Sequence, residues 1–165
     1  MNQKTKIIID TDPGVDDALA IAFAALHPDL ELLGLTTVFG NVSVEQSTVN
    51  AGYLVDLLNV KHVPVAKGEG VPSVQEPHGF PDFVHGKNGF GDIDVNYPSD
   101  FQPHELSAAD FIIKTIHEHP NEVVLVPIGP LTNIALALKK DPSIAHKVKE
   151  VVIMGGAAHE KGNVS

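Results

Sequence analysis

The chain has 165 residues, a formal net charge of −10 and no cysteine. With 43% hydrophobic residues it can bury a core as one domain over 1–165. The lack of cysteine excludes disulfide scaffolds, thiolate metal sites and a cysteine nucleophile, so a metal would need oxygen or imidazole ligands. An acidic chain without a basic stripe argues against nucleic acid and anionic membranes as partners and favours a divalent cation. The longest apolar run, Ala18 to Leu26, is about half of the ~18 residues a membrane span requires, and Ile7 to Ile9 is too short for a signal-peptide core. The expected location is the cytoplasm.

Strand-like and helix-like segments alternate. Ile7 to Ile9 is a β-branched run ending in Asp10, and Pro13-Gly14 breaks it. Val15, Ala18, Leu19, Ala22, Phe23 and Leu26 then recur at helical spacing, with Asp16 and Asp17 in the first turn, where the helix dipole favours negative charge. Leu32 to Phe39 reads as a second strand. Ser43 and Gln46 form a capping-box pattern for a helix carrying Val49, Leu54, Leu57 and Leu58, followed by a short strand at Val63 to Ala66.

Residues 67–104 are rich in Gly and Pro and lack a sustained period, which predicts a long excursion within the domain, for instance a lid over a site. Ser107 and Asp110 cap a further helix running to His119. Val123 to Pro127 is a strand, Leu131 to Leu138 a helix, and Val151 to Met154 a last strand ending at Gly155-Gly156. This alternation implies right-handed crossovers and a Rossmann-like α/β fold, an open, mainly parallel sheet with helices on both faces. Ligands bind such sheets at the carboxyl ends of the strands.

The first of those ends is the most distinctive. Asp10, Asp12, Asp16 and Asp17 fall within eight residues, more acid than helix capping demands. Carboxylates crowded together raise one another's pKa unless a cation or hydrogen-bond donors compensate. Oxygen-only ligands suit Ca²⁺ or Mg²⁺, with Asp12 and Asp17 the first candidates.

The run from Ile9 through Asp10, Thr11, Asp12, Pro13, Gly14, Val15, Asp16 and Asp17 to Ala18 resembles the N-terminal signature of the inosine–uridine-preferring nucleoside hydrolases. Further matches follow in order at Thr36 to Asn41, His85 to Gly89, Val126 to Asn133, and Val152 to Gly156 with Gly162-Asn163. The resemblance implies hydrolysis of the N-glycosidic bond of ribonucleosides to ribose and free base. It implies a Ca²⁺ cofactor held by the Asp12 and Asp17 carboxylates and the Ile128 backbone carbonyl, with Asp12 also the general base on a metal-bound water. Asp16 would hydrogen-bond a ribose hydroxyl, and Asn41, Met154 and Asn163 match substrate-pocket positions. His85, in a glycine-flanked stretch, would belong to a flap over ribose or base, and Asp10 would support the ligands from behind. The family commonly forms dimers or tetramers. It also runs on for as many residues again, supplying a later Asp ligand and a His at the leaving base, so this chain resembles its amino-terminal half.

Two other readings stand beside this one. A short relative could keep a cation and ribose site without turnover. Ile7 to Asp12 also resembles the Asp-x-Asp nucleophile motif of haloacid-dehalogenase-type phosphatases, with Asp10 as nucleophile. Pro13-Gly14 followed by two acids, and the lack of an acidic pair near Met154, fit that motif poorly.

Overall fold

The computed structural model describes residues 4–76, 79–157, 159 and 161–162. Five strands, β1 (Thr5–Thr11), β2 (Leu30–Thr37), β3 (Val65–Lys67), β4 (Val123–Pro127) and β5 (Glu150–Val151), form one sheet in the order β3-β2-β1-β4-β5. All four pairings are parallel. The helices are α1 (Val15–Leu26), α2 (Val44–Leu57), the single turn α3 (Asp82–His85), α4 (Ala108–Glu118) and α5 (Thr132–Lys140), with a 3-10 segment at Pro142–His146. The expected α/β architecture is therefore the observed one.

Alternate side chains of the buried strands feed two apolar clusters, one on each face of the sheet. Ile7, Ile9, Leu35, Val65 and Val124 pack with Ile21 and Ala24 of α1 and with Ala51, Leu54 and Val55 of α2. Ile8, Ala66, Val123 and Leu125 pack with Phe111, Ile112 and Ile116 of α4 and with Ile134 and Ala137 of α5. Both predicted serine caps are present: the Ser43 hydroxyl accepts from the Gln46 N–H and the Ser107 hydroxyl from the Asp110 N–H.

The strand order decides where a site can form. The chain winds outward from β1 through β2 to β3, then returns to place β4 on the other side of β1. The crossovers leaving β1 and β4 diverge to opposite faces, opening a crevice at the carboxyl ends of these two strands. Asp10, Thr11 and Asp12 end β1 there, and Pro127, Ile128 and Gly129 end β4. The N–H groups of Ile128 and Gly129 both donate to the Asp10 carbonyl, at 2.8 and 3.2 Å, which clamps the two strand ends together.

Three details differ from the expectation. Two strand positions shift by two residues: β2 runs Leu30–Thr37 rather than from Leu32 to Phe39, and β3 starts at Val65 rather than Val63. The last strand is formally only Glu150–Val151, although the Val152 and Met154 N–H groups still donate to the Leu125 and Pro127 carbonyls, so the backbone continues alongside β4. The third difference is the face α1 buries. The apolar residues Leu19, Phe23 and Leu26 point outward and are 72, 64 and 65% exposed, whereas Asp17, Ile21 and Ala24 face inward. Asp17 supplies the reason. Its carboxylate is held in the crevice, and at about 100° per residue only Ile21 and Ala24 share its side of the helix.

This orientation has a measurable consequence. Ile21→Ala should cost about 2–5 kcal/mol of stability, a core deletion, while Phe23→Ala should cost at most about 0.5 kcal/mol. Denaturant unfolding of both variants checks it; equal losses would place the wrong face against the sheet.

Candidate active site

Asp10, Asp12 and Asp17 converge at the crevice and are 0, 5 and 4% exposed. Donors from several elements hold them, and Asn41 serves two of the three. Asp10 Oδ1 accepts from the Thr36 hydroxyl of β2 and from Asn133 Nδ2 of α5 at 2.8 Å. Asp12 Oδ2 accepts from the Asn41 backbone N–H at 2.6 Å. Asp17 Oδ1 accepts from the Thr11 hydroxyl at 2.6 Å, and its Oδ2 accepts from the Gly14 N–H at 3.2 Å and from Asn41 Nδ2 at 3.0 Å. Asp17 thus caps its own helix while it faces the crevice.

The remaining acceptors have the chemistry a hard cation would need. Asp10 Oδ2 is buried without a hydrogen-bond partner. Asp12 Oδ1 and the Ile128 carbonyl receive no hydrogen bond among the described residues. A Cβ at Gly129 would lie 2.7 Å from Asp12 Oδ1 and one at Gly40 would lie 2.0 Å from Oδ2, so both flanking positions leave the carboxylate room that any side chain would fill. Two carboxylates and a carbonyl are hard oxygen donors and fit part of the six to eight oxygens that Ca²⁺ takes. No group of three or more His, Asp and Glu side chains assembles a cation cage among the described residues. The oxygen donors here would supply only part of a shell.

Burial sets the electrostatics. Desolvation pushes the Asp12 carboxyl up to about 8, with the charge of Asp17 the next cause and the Asn41 N–H opposing it. Desolvation likewise raises Asp10 to about 7 against the lowering hydrogen bonds from Thr36 and Asn133. Asp17 is also raised, by burial, with the Thr11 and Gly14 bonds opposing and the Asp16 charge adding to the rise. The three acids therefore hold negative charge at neutral pH only at a free-energy cost that a cation among them would offset.

The other predicted residues are placed as follows. Asp16 stands at the rim, its side chain 67% exposed and 3.8 Å from His85 Nδ1. The Asn41 side chain turns toward the acids, its Nδ2 donating to the Asp12 carbonyl at 3.1 Å as well as to Asp17. His85 ends α3 within the long excursion and accepts the Val15 N–H at 3.3 Å. That excursion is pinned to the body here: Phe90 is buried in the α1/α2 cluster. Met154 lies beyond β5 and is 59% exposed, and no side-chain hydrogen bond joins it to the acids. Asn163 lies outside the described residues. Asp10, fully buried with one oxygen doubly bonded to donors, is out of reach of a phosphorylated substrate, which removes it as a phosphatase nucleophile.

Two asparagines were not singled out as site residues from the sequence. Asn133 reads as part of a helix start, yet it is buried and joins Asp10, the Thr37 carbonyl and the Glu69 N–H. Asn50 sits at a buried position of α2 and bonds the Pro13 carbonyl at 3.0 Å. A polar amide at a core position of an amphipathic helix is the one sequence signal that could have marked Asn50.

The raised carboxyls make stability pH-dependent in the calcium-free protein. A group that binds its proton more tightly when folded stabilises fully below its unfolded pKa and loses that contribution as pH rises through the folded value. Asp10 and Asp12 therefore predict a falling melting temperature between about pH 4 and pH 8. Carboxyls shifted the other way, such as Asp141 at about 2, act below that window. Asp10→Asn keeps an acceptor for Thr36 and Asn133 and removes one buried charge, so it should gain about 1–4 kcal/mol over the parent at pH 8 and little at pH 4. Calorimetry at both pH values checks this; a gain that does not grow with pH contradicts it.

Comparison with known proteins gives the family. The sequence profile of the inosine-uridine preferring nucleoside hydrolase family matches residues 7–165. Uridine nucleosidase 1 of Arabidopsis thaliana is 49% identical over 165 residues, covering 100% of this chain and 49% of its own. The inosine-uridine preferring nucleoside hydrolase of Crithidia fasciculata is 43% identical over 163 residues, 97% of this chain and 50% of that protein. Among solved structures, the plant nucleoside hydrolase PpNRh1 superposes with a TM-score of 0.89 at 42% identity, over 93% of this chain and 48% of that one. The purine-preferring ribonucleoside hydrolase from Gardnerella vaginalis gives 0.92 at 42% identity, over 96% and 51%. The chain spans about half the length of these relatives. A family match over nearly the whole chain, with the acidic crevice at the expected strand ends, makes it a member of the inosine-uridine preferring nucleoside hydrolase family.

Proposed function

We propose that this protein hydrolyses the N-glycosidic bond of ribonucleosides, releasing ribose and the free base, with Ca²⁺ held by Asp12, Asp17 and the Ile128 carbonyl. The observation that carries the reading is the burial of three carboxylates at the β1/β4 crevice, supported by the family match. Calcium bound there would supply positive charge that fixes vicinal ribose hydroxyls and makes an attacking water easier to deprotonate.

The chain's own groups account for the remaining work. Asp12 is the base: the Asn41 N–H holds Oδ2, which leaves Oδ1 to take a proton from water on the face opposite the departing base. Asp16, at the exposed rim, accepts a hydrogen bond from a ribose hydroxyl. As the glycosidic bond breaks the ribose gains oxocarbenium character, and the carboxylates beneath it favour that positive charge. The Val15 N–H donates to His85 Nδ1, which leaves Nε2 of the imidazole for a contact with the substrate in this reading. Asn41 keeps its side-chain Oδ1 free of partners among the described residues and can accept from the sugar. Met154 would line the pocket in this reading, and Asn163, outside the described residues, is assigned to substrate by the family pattern alone.

The nucleoside partner follows from the same chemistry; the acidic charge argues against nucleic acid and membrane as partners, and the family resemblance favours a homo-oligomer, dimer or tetramer, in the cytoplasm. No described helix is long and apolar enough to cross a membrane.

The test is base release from inosine and uridine by the complete protein. Activity should vanish on chelation and return with calcium. Asp12→Asn should lower kcat at least about 1000-fold while the circular dichroism spectrum stays that of the parent. Turnover that survives in Asp12→Asn, or that ignores chelation, would remove the assigned base or the ion. A calcium-loaded parent that releases no base would leave a binding protein.

A further inference from the structure

Residues 86–93 form a turn braced from within. Asp92 Oδ1 accepts the N–H groups of Lys87 and Asn88 at 2.7 and 3.3 Å. Asn88 Oδ1 accepts those of Phe90 and Asp92 at 2.8 and 3.0 Å, and Asn88 Nδ2 donates to the Ile93 carbonyl. The Gly91 N–H donates to the His85 carbonyl at 2.7 Å, which joins His85 to the same unit. Fixing any point of so tightly bonded a turn fixes the imidazole with it.

That fixed point is Asn50 of α2. It is 0% exposed, and every hydrogen-bonding position of its amide is used. Its Nδ2 donates to the Asn88 carbonyl at 2.9 Å and to the Pro13 carbonyl at 3.0 Å. Its Oδ1 accepts from Gln46 Nε2 and from the Tyr97 hydroxyl, both at 2.9 Å. One side chain thus ties the turn to the residue following Asp12, and Gln46 and Tyr97 orient it so that both amide hydrogens point the right way. Gly89 makes the approach feasible: its φ is +84°, and a Cβ there would lie 2.8 Å from both Asn50 Nδ2 and the Pro13 carbonyl.

We propose that Asn50 is a positioning residue, a latch that holds the 86–93 turn on the Asp12–Val15 segment and so sets where His85 stands over the crevice. The latch itself stands on geometry alone; its effect on substrate rests on the function proposed above. Phe90 anchors the same turn by apolar burial but fixes no direction, whereas the two amide hydrogen bonds do.

The test compares Asn50→Ala with Gly89→Ala, which attacks the same contact from the loop side, and uses Gly91→Ala as control. Gly91 also has positive φ, at +68°, but a Cβ there meets nothing within 4 Å, so it adds backbone strain without displacing Asn50. In the complete protein, amide hydrogen exchange over 85–92 should quicken about tenfold or more in Asn50→Ala and Gly89→Ala, while β1 and β4 keep the parent's protection. Gly91→Ala should show a clearly smaller change. In nucleoside hydrolysis both latch variants should raise KM about tenfold with kcat within about twofold of the parent, because binding geometry rather than the base is disturbed. Exchange that is unchanged, that rises equally in β1 and β4, or that rises as much in Gly91→Ala overturns the latch, as does a loss confined to kcat. Should the parent hydrolyse no nucleoside, the function fails, and the exchange pattern still decides the latch by itself.

Discussion

Three carboxylates are kept out of water at one point of the fold, and most of the local structure exists to make that tolerable. A buried carboxylate is costly unless it is protonated, hydrogen-bonded or paired with positive charge. Here the donors come from Thr11, Asn41, Thr36, Asn133 and the start of α1, elements far apart in sequence. They reduce the cost without cancelling it, as the upward shifts of Asp10 and Asp12 show. In the function proposed above, the residual demand for positive charge would be met by a cation, and a cation beneath a ribose would give the crevice its chemistry.

Topology supplies the place. Because β4 returns to the far side of β1, the two strand ends part their crossovers and leave room exactly where no helix can follow. The Asp10 carbonyl, bonded to both Ile128 and Gly129, holds the β4 end beside the acids, so the Ile128 carbonyl stands near them through the backbone alone. The same demand reaches into the packing. Turning Asp17 inward decides which face of α1 is buried and sends the larger apolar residues Leu19, Phe23 and Leu26 outward.

Much of this was legible in the residues. The alternation of β-branched runs with capped helical segments pointed to a parallel sheet, and Ser43 and Ser107 marked two helix starts through local hydrogen bonds alone. The acidic string identified the crevice because its charge density exceeds what capping needs. Other features depend on contacts between distant parts of the chain. In α1 the periodicity of Leu19, Phe23 and Leu26 is as helical as that of Ile21 and Ala24, and only the crevice decides between the two faces. Asn50 and Asn133 carry no motif of their own, since their roles arise when Pro13, Asn88, Asp10 and Glu69 are brought to them. Strand β5 shows the limit at an edge: its sequence reads as a strand to Met154, but pairing on one side sustains only two formal strand residues.

A crystal structure of the protein grown with calcium tests the central claim most directly. The account predicts anomalous density for one ion bonded to Asp12, Asp17 and the Ile128 carbonyl, with metal–oxygen distances of about 2.3–2.6 Å. Density for water alone in that crevice at saturating calcium, with Asp12 and Asp17 unmoved, would contradict it.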